Sequence, residues 1–190
     1  HEEQIARERI YVIGVTCKGL MANGQPLERC QRCAERVPLV YNLVVGEVPK
    51  TIGREDHTDV VRLEKMSPAE RLAFWTREFD RCIRCYACRQ ACPACYCLEC
   101  VAEQLDPPWM GIAIDLPQKQ FFHVMRAYHL AGRCAGCNAC EEACPMNIPL
   151  SLLNRKIAKE VEALFGYKTG QNAETPPPLA TFKKEEQLPL

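Results

Sequence analysis

The chain carries no excess of charge of either sign, no long apolar run, no dinucleotide-binding glycine fingerprint and few segments that read as strands. Its 24 Lys+Arg balance 24 Asp+Glu, and no basic stripe breaks that balance, which argues against nucleic acid as a partner. Without an uninterrupted apolar stretch of about 18 residues, it has no candidate transmembrane segment. No G-x-G-x-x-G opens a helix, so the usual cradle for a dinucleotide pyrophosphate is missing. Neither a Ser/His/Asp set nor a convincing pair of acid/base carboxylates stands out, so the chain does not read as a hydrolase.

What the chain has instead is cysteine, 14 in 190 residues. Disulfides would be one explanation, but dense disulfide frameworks belong to secreted proteins. We therefore expect a protein of a reducing, cytoplasmic compartment whose packing is arranged around metal. Eight of the cysteines fall into two copies of one spacing, Cys82-x2-Cys85-x2-Cys88-x3-Cys92-Pro93 and Cys134-x2-Cys137-x2-Cys140-x3-Cys144-Pro145. This is the bacterial ferredoxin run, in which three thiolates hold one cubane and the fourth reaches across to the other. A cysteine at every third residue of a tight turn lets three sulfurs converge on three irons while nearby backbone N–H groups offset the negative charge. Gly136 suits such a turn because it tolerates positive φ, and the proline after each fourth cysteine leads the chain away. Zinc prefers paired C-x2-C knuckles separated by a longer span. The expectation is two [4Fe-4S] clusters, one on Cys82, Cys85, Cys88 and Cys144, the other on Cys134, Cys137, Cys140 and Cys92.

Six cysteines remain: Cys17, Cys30, Cys33, Cys95, Cys97 and Cys100. Cys30 and Cys33 form a C-x2-C knuckle that Cys17 is near enough in sequence to join. With one of Cys95, Cys97 or Cys100 they would complete a third four-thiolate site, for which a third [4Fe-4S] cluster is favoured over structural zinc. A fourth ligand from a part of a longer chain is an alternative. Buried, unligated thiols are the plain reading of the Cys95 group. Other residues receive plain readings too: His123 and His129 as packed or solvated, Trp109 as a packing residue. Arg81, Arg84, Arg89 and Arg133, which flank the runs, read as partly solvated charges able to raise a cluster's potential.

The periodicity predicts a mainly α protein. Residues 1–65 read as a small cysteine-containing α+β segment, beginning abruptly at His1 with the strand-like Arg9–Val15 and so expected to be the remainder of a longer polypeptide. The apolar patches Val37–Tyr41 and Leu43–Val45 are its candidate strand partners, Pro38 confining its stretch to an edge. Residues 66–168 read as an α-helical ferredoxin-like dicluster domain. Ser67, Pro68 and Glu70 make a helix start with a capping box, followed by Leu72, Trp75 and Phe79. Phe121, Val124, Met125 and Tyr128 define a second helix ending near Gly132, and Leu150, Leu153, Ile157, Val161 and Leu164 a third that Gly166 terminates. Residues 169–190 read as an extended partner-binding tail with Leu179 and Phe182 as anchors, or as plain disorder. Ferredoxins that move freely carry a large excess of carboxylates, so the balanced charge suggests a subunit docked in an assembly.

The stretch Ile13-Gly14-Val15-Thr16-Cys17-Lys18-Gly19, the Cys30–Cys33 knuckle, Cys92-Pro93-Ala94-Cys95-Tyr96-Cys97-Leu98-Glu99-Cys100 and the double run resemble the beta-subunit family of deazaflavin-linked hydrogenases and formate dehydrogenases. The likeness extends from about Arg7 to Gly170, with the double run its specific part. It implies an iron–sulfur electron-transfer subunit, akin to those of heterodisulfide-reductase-like complexes, relaying electrons from a low-potential donor subunit to a flavoprotein partner. The alternative it implies is an FAD-binding catalytic beta subunit that reduces a soluble carrier such as a deazaflavin coenzyme.

Overall fold

The computed structural model describes residues 7–19, 21–47, 57–171 and 174–181. The readings placed on His1, Phe182 and the charged end of the chain lie outside them. The described residues divide into two units, the first drawn from 1–65 and 170–173, the second from 66–169 and 174–190.

In the first unit β1 (Ile13–Val15) is reached through a 3-10 turn at Arg7–Arg9, so the regular strand is shorter than the apolar run that announces it. A two-residue hairpin follows, β2 (Met21–Ala22) and β3 (Gln25–Pro26). Its turn, Asn23-Gly24, has positive φ at both residues (51° and 77°), the geometry that suits Asn-Gly between paired strands. After α1 (Glu28–Gln31), β4 (Leu43–Val45) pairs in parallel with β1, Ile13 opposite Leu43. The patch at 37–41 forms turns, and Pro38 lies against the sheet at Gly14, where a Cβ would stand 2.9 Å from the proline ring. Glycine is required there by close approach. The helix α2 (Thr58–Glu64), outside the elements expected from the sequence, buries Val60 and Leu63. Asp59 on it pairs with Arg32 at 3.3 Å.

The second unit alternates helix and cysteine run. α3 (Pro68–Asp80) begins at Ser67, whose hydroxyl accepts from the Glu70 N–H while Glu70 accepts from the Ser67 N–H, the capping box expected. α4 (Ala87–Gln90) lies inside the first run and α6 (Ala139–Glu142) inside the second. Between them runs α5 (Leu116–His129), capped by Asp115 through the Gln118 N–H. α7 (Leu150–Phe165) has no cap from its own Pro149; Glu141 supplies one, accepting from the Ser151 N–H at 3.0 Å and its hydroxyl at 2.5 Å. Gly166, at φ +61°, ends it.

α5 is central, packing against both α3 and α7, while α4 packs on α6 and α6 on α7. Phe79, Phe122, Ile148 and Leu150 form the heart of the core. An aromatic column continues it, with Phe79 stacked on His123 at 4.6 Å and Tyr86 edge-on to Phe122 at 5.1 Å. Truncating a fully buried phenylalanine such as Phe122 to alanine costs about 3–5 kcal/mol.

The buried face of α5 differs from the one its apolar pattern suggests. Phe121, Val124 and Tyr128 are exposed, whereas Lys119, Phe122, His123, Arg126 and Ala127 are buried. Simple apolar burial would choose the former set, so cationic and ring N–H groups have been taken into the interior for another reason. Trp109 is exposed and not a packing residue. Among the described residues no helix is long and apolar enough to cross a membrane.

Candidate iron–sulfur site

Both cysteine runs fold alike. The first cysteine follows the end of a helix, two positive-φ residues turn the chain, and a four-residue helix presents the third cysteine. In the first run the turning residues are Arg84 and Tyr86 (φ 54° and 58°), in the second Gly136 and Asn138 (65° and 68°). The backbone N–H of Arg84 donates to the Cys82 sulfur at 3.3 Å, and that of Gly136 to Cys134. Such oriented amides favour negative charge on sulfur.

Cys82, Cys85, Cys88 and Cys144 wall one cavity, together with Tyr86 and His123. Cys92, Cys134, Cys137 and Cys140 wall a second, together with Arg133 and Asn138. Each cavity thus collects three cysteines from one run and the last from the other. α4 meeting α6 brings the two cavities side by side.

Burial pushes the thiols of Cys88 and Cys134 up to about 11, and raises those of Cys82 and Cys140 as well. These sulfurs are therefore thiols until a metal cation displaces the proton. Cys92 differs: Cys95 donates to its sulfur and holds its pKa down to about 5, with Cys95 itself raised.

The buried polar face of α5 is directed to these cavities. Arg126, 5% exposed, donates from Nη2 to the Cys88 carbonyl at 3.0 Å, and its guanidinium also bonds the sulfurs of Cys140 and Cys95. It is a buried cation serving both runs. Asn154 adds a long contact to the Cys140 sulfur at 3.6 Å. His123 is held neutral, its pKa lowered to about 4 by burial and then by Arg126. Neither of its ring nitrogens, nor Nε of Arg126 and Arg133 or Oδ1 of Asn138, has a hydrogen-bond partner among the described residues. The unpartnered N–H groups among them, those of Arg126, Arg133 and the His123 ring, beside converging thiols fit a cluster anion with sulfide acceptors, and are otherwise costly. No three His, Cys, Asp or Glu side chains among the described residues converge tightly enough for a single metal ion. A cubane asks for sulfurs spread around a larger body.

The flanking arginines are engaged. Arg81 pairs with Glu78 at 2.7 Å and bonds the Met146 carbonyl. Arg84 donates to the carbonyls of Gly111 and Ala113, both at 2.7 Å, and to the Tyr86 hydroxyl. Arg89 pairs with Glu103 at 2.6 Å, and Arg133 lies over the Tyr96 ring. Sequence reading missed Arg126; the only signal was its spacing of four from Phe122 and from Leu130, on the face that proved buried. Of the remaining cysteines, Cys17, Cys30 and Cys33 belong to the first unit. Cys95, Cys97 and Cys100, in the second, line a further cavity of about 230 Å³ with Arg89, Arg126 and Arg133.

The 4Fe-4S dicluster domain family matches residues 78–148, which span both runs. The chain thus carries an iron–sulfur dicluster module, held on helices. It is 35% identical over 154 residues to the F420-dependent formate dehydrogenase subunit beta of Methanocaldococcus jannaschii, covering 80% of this chain and 37% of that protein. It is 36% identical over 105 residues to the F420-dependent formate dehydrogenase 1 subunit beta of Methanococcus maripaludis, covering 55% of this chain and 26% of that one. The chain is thus similar to these beta subunits, and spans between about a quarter and little more than a third of their length.

Proposed function

We propose that the chain is an electron-relay subunit of an anaerobic oxidoreductase complex of the formate dehydrogenase, hydrogenase or heterodisulfide-reductase-like kind. It passes single electrons from a low-potential donor subunit to a flavoprotein partner. One cluster takes Cys82, Cys85, Cys88 and Cys144 as ligands, and the other Cys134, Cys137, Cys140 and Cys92. The observation that carries this reading is the collection of four cysteines around each of two adjoining cavities, drawn from both runs.

A bound [4Fe-4S] cubane supplies a one-electron redox couple whose potential the surrounding protein tunes. The chain's own residues do the rest. Phe122, Ile148 and Leu150 exclude water from the first cavity, the Arg84 and Gly136 amides favour charge on sulfur, and Arg126 places a cation beside both runs. Docking to other subunits is supported by Leu98, Leu105, Trp109, Ile112 and Ile114, five exposed apolar side chains within one connecting segment.

The reading is tested on anaerobically purified chain by iron and sulfide analysis and by EPR of the reduced protein. About eight irons or more per chain, with interacting cubane signals, are expected; fewer than about eight would remove the relay.

One observation favours a second reading, an FAD-binding catalytic subunit that reduces a soluble deazaflavin carrier. The 230 Å³ cavity presents Arg89, Arg126 and Arg133, a wall suited to an anionic cofactor. Stoichiometric flavin extracted from the isolated chain would displace the simple relay.

A further inference from the structure

The two cavities of the double run share their turns and differ in their walls. Around Cys82, Cys85, Cys88 and Cys144 stand Phe122, Met146, Ile148 and Leu150, and the nitrogen-bearing side chain among the lining residues is neutral His123. Among the described residues the hydrogen bond to a sulfur there is the one from the Arg84 N–H to Cys82. Lys119 brings a positive charge near Cys82, but its ammonium is bound to the Asp80 carbonyl at 2.6 Å and to the Asp80 carboxylate at 3.4 Å. That charge is largely balanced.

The second cavity is polar. Arg133, Asn138, Ser151 and Asn154 wall it together with Cys92, Cys134, Cys137 and Cys140. Asn154, 4% exposed, donates from Nδ2 to the Cys140 sulfur at 3.6 Å, and the Gly136 N–H repeats at Cys134 the bond that Arg84 makes at Cys82. The Arg133 guanidinium lies 5.5 Å from the centre of the Tyr96 ring, with no carboxylate against it among the described residues, and its buried Nε has no partner. Glu141 is the negative group of this neighbourhood, yet its carboxylate is held at the start of α7 by the Ser151 N–H and hydroxyl and does not wall the cavity. Arg126 reaches both sides, through the Cys88 carbonyl and the Cys140 sulfur. Reduction adds one negative charge, which a cation and N–H donors at the sulfurs stabilise and an apolar wall does not.

We propose that Arg133 and Asn154 hold the [4Fe-4S] centre of the second cavity at a higher reduction potential than that of the first, so that each electron moves one way, from the first cavity to the second. The inference rests on the relay reading and adds its direction. The low-potential donor subunit gives up one electron on the side of Cys82, Cys85 and Cys88, and the flavoprotein partner gains it on the side of Cys134, Cys137 and Cys140.

An EPR-monitored redox titration of the anaerobically purified full chain decides it. The signal that appears first is assigned by the ligand variants: it should persist in Cys85→Ala and vanish in Cys137→Ala. Its reduction constant should exceed that of the other centre by about tenfold or more, about 59 mV for one electron. Arg133→Met should lower this constant about tenfold and move the first-cavity step little. Asn154→Leu should lower it about threefold, and both variants should keep about eight irons. The order in the unaltered chain is read even if one of these two variants loads poorly. The opposite order, two equal steps, or loaded variants that shift both steps alike or neither would overturn the proposal. A failure of the relay reading looks different, since the iron count and the paired signals themselves are then missing.

Discussion

The two cysteine runs share one backbone path and reach it with different residues. The second uses Gly136 and Asn138 at its positive-φ positions, residues that adopt the left-handed region at low cost, and nothing lies within 4 Å of a Cβ placed on Gly136. The first uses Arg84 and Tyr86, for which the same conformation is strained. There the side chains compensate, Arg84 through two carbonyls and the Tyr86 hydroxyl, Tyr86 through its ring against Phe122. The second run is thus shaped mostly by its own sequence. The first is held open by the segment 111–113 and by α5.

The largest effects should come from the cysteines themselves. Cys92→Ala, although in the first run, is expected to abolish the same EPR signal as Cys137→Ala, and Cys144→Ala the same one as Cys85→Ala, each with loss of about four irons. If Cys92→Ala instead matched Cys85→Ala, each run would be closed on itself and the comparison would fail. Next in size, Arg126→Met should lower the reduction potential of both double-run clusters, because a buried cation stabilises the more negative reduced form. A tenfold loss in the reduction constant, about 59 mV for one electron, is the expected scale in an EPR-monitored titration. A shift confined to one cluster would show that Arg126 serves one run only.

Denaturant unfolding of the anaerobic holoprotein separates the two turns. Arg84→Ala keeps the strained backbone and loses three hydrogen bonds, an expected cost of about 2–3 kcal/mol. Arg84→Gly loses the same bonds but relaxes the backbone, so it should be milder by about 1 kcal/mol. Gly136→Ala, with no clash to relieve, should cost about 1–2 kcal/mol. Equal effects of Arg84→Ala and Arg84→Gly would show that the first turn stores no strain. Smallest are the helix starts ahead of each run. Ser67→Ala and Asp115→Ala each remove one side-chain cap, with about 1 kcal/mol expected and a fall of about 2–4 °C in melting temperature.

Much of the helical frame is readable because its causes are local. Ser67, Pro68 and Glu70 lie within one turn of each other, and Gly166 ends α7 by its own conformation. The readable part of the first unit was less complete. Leu43–Val45 is a candidate partner of the first apolar run and pairs with it, but α2 is not foreseen, nor is the packing of Pro38 at Gly14. The reading of α5 went astray for a different reason. Apolar periodicity selects Phe121, Val124, Met125 and Tyr128, yet the helix turns Phe122, His123 and Arg126 inward. Hydrophobic pattern assumes an oily interior, and this interior is lined by sulfur that asks for N–H donors and positive charge. Leu179, marked as a tail anchor, lines the 230 Å³ cavity, and Pro178 lies over Gly132, where a Cβ would stand 2.8 Å from the ring.

Spacing alone pointed to the double cluster chemistry, because three sulfurs at every third residue of a tight turn can meet one cluster whatever surrounds them. The residues that cap and end the helices around each run are likewise legible from one turn of chain. How Arg126 comes to lie against Cys88 and Cys140, and why Arg84 tolerates its backbone, were decided by packing. Those contacts join residues tens of positions apart, Arg126 to Cys88 and Arg84 to Ala113 among them, and exist only once α4, α5 and α6 have closed on one another.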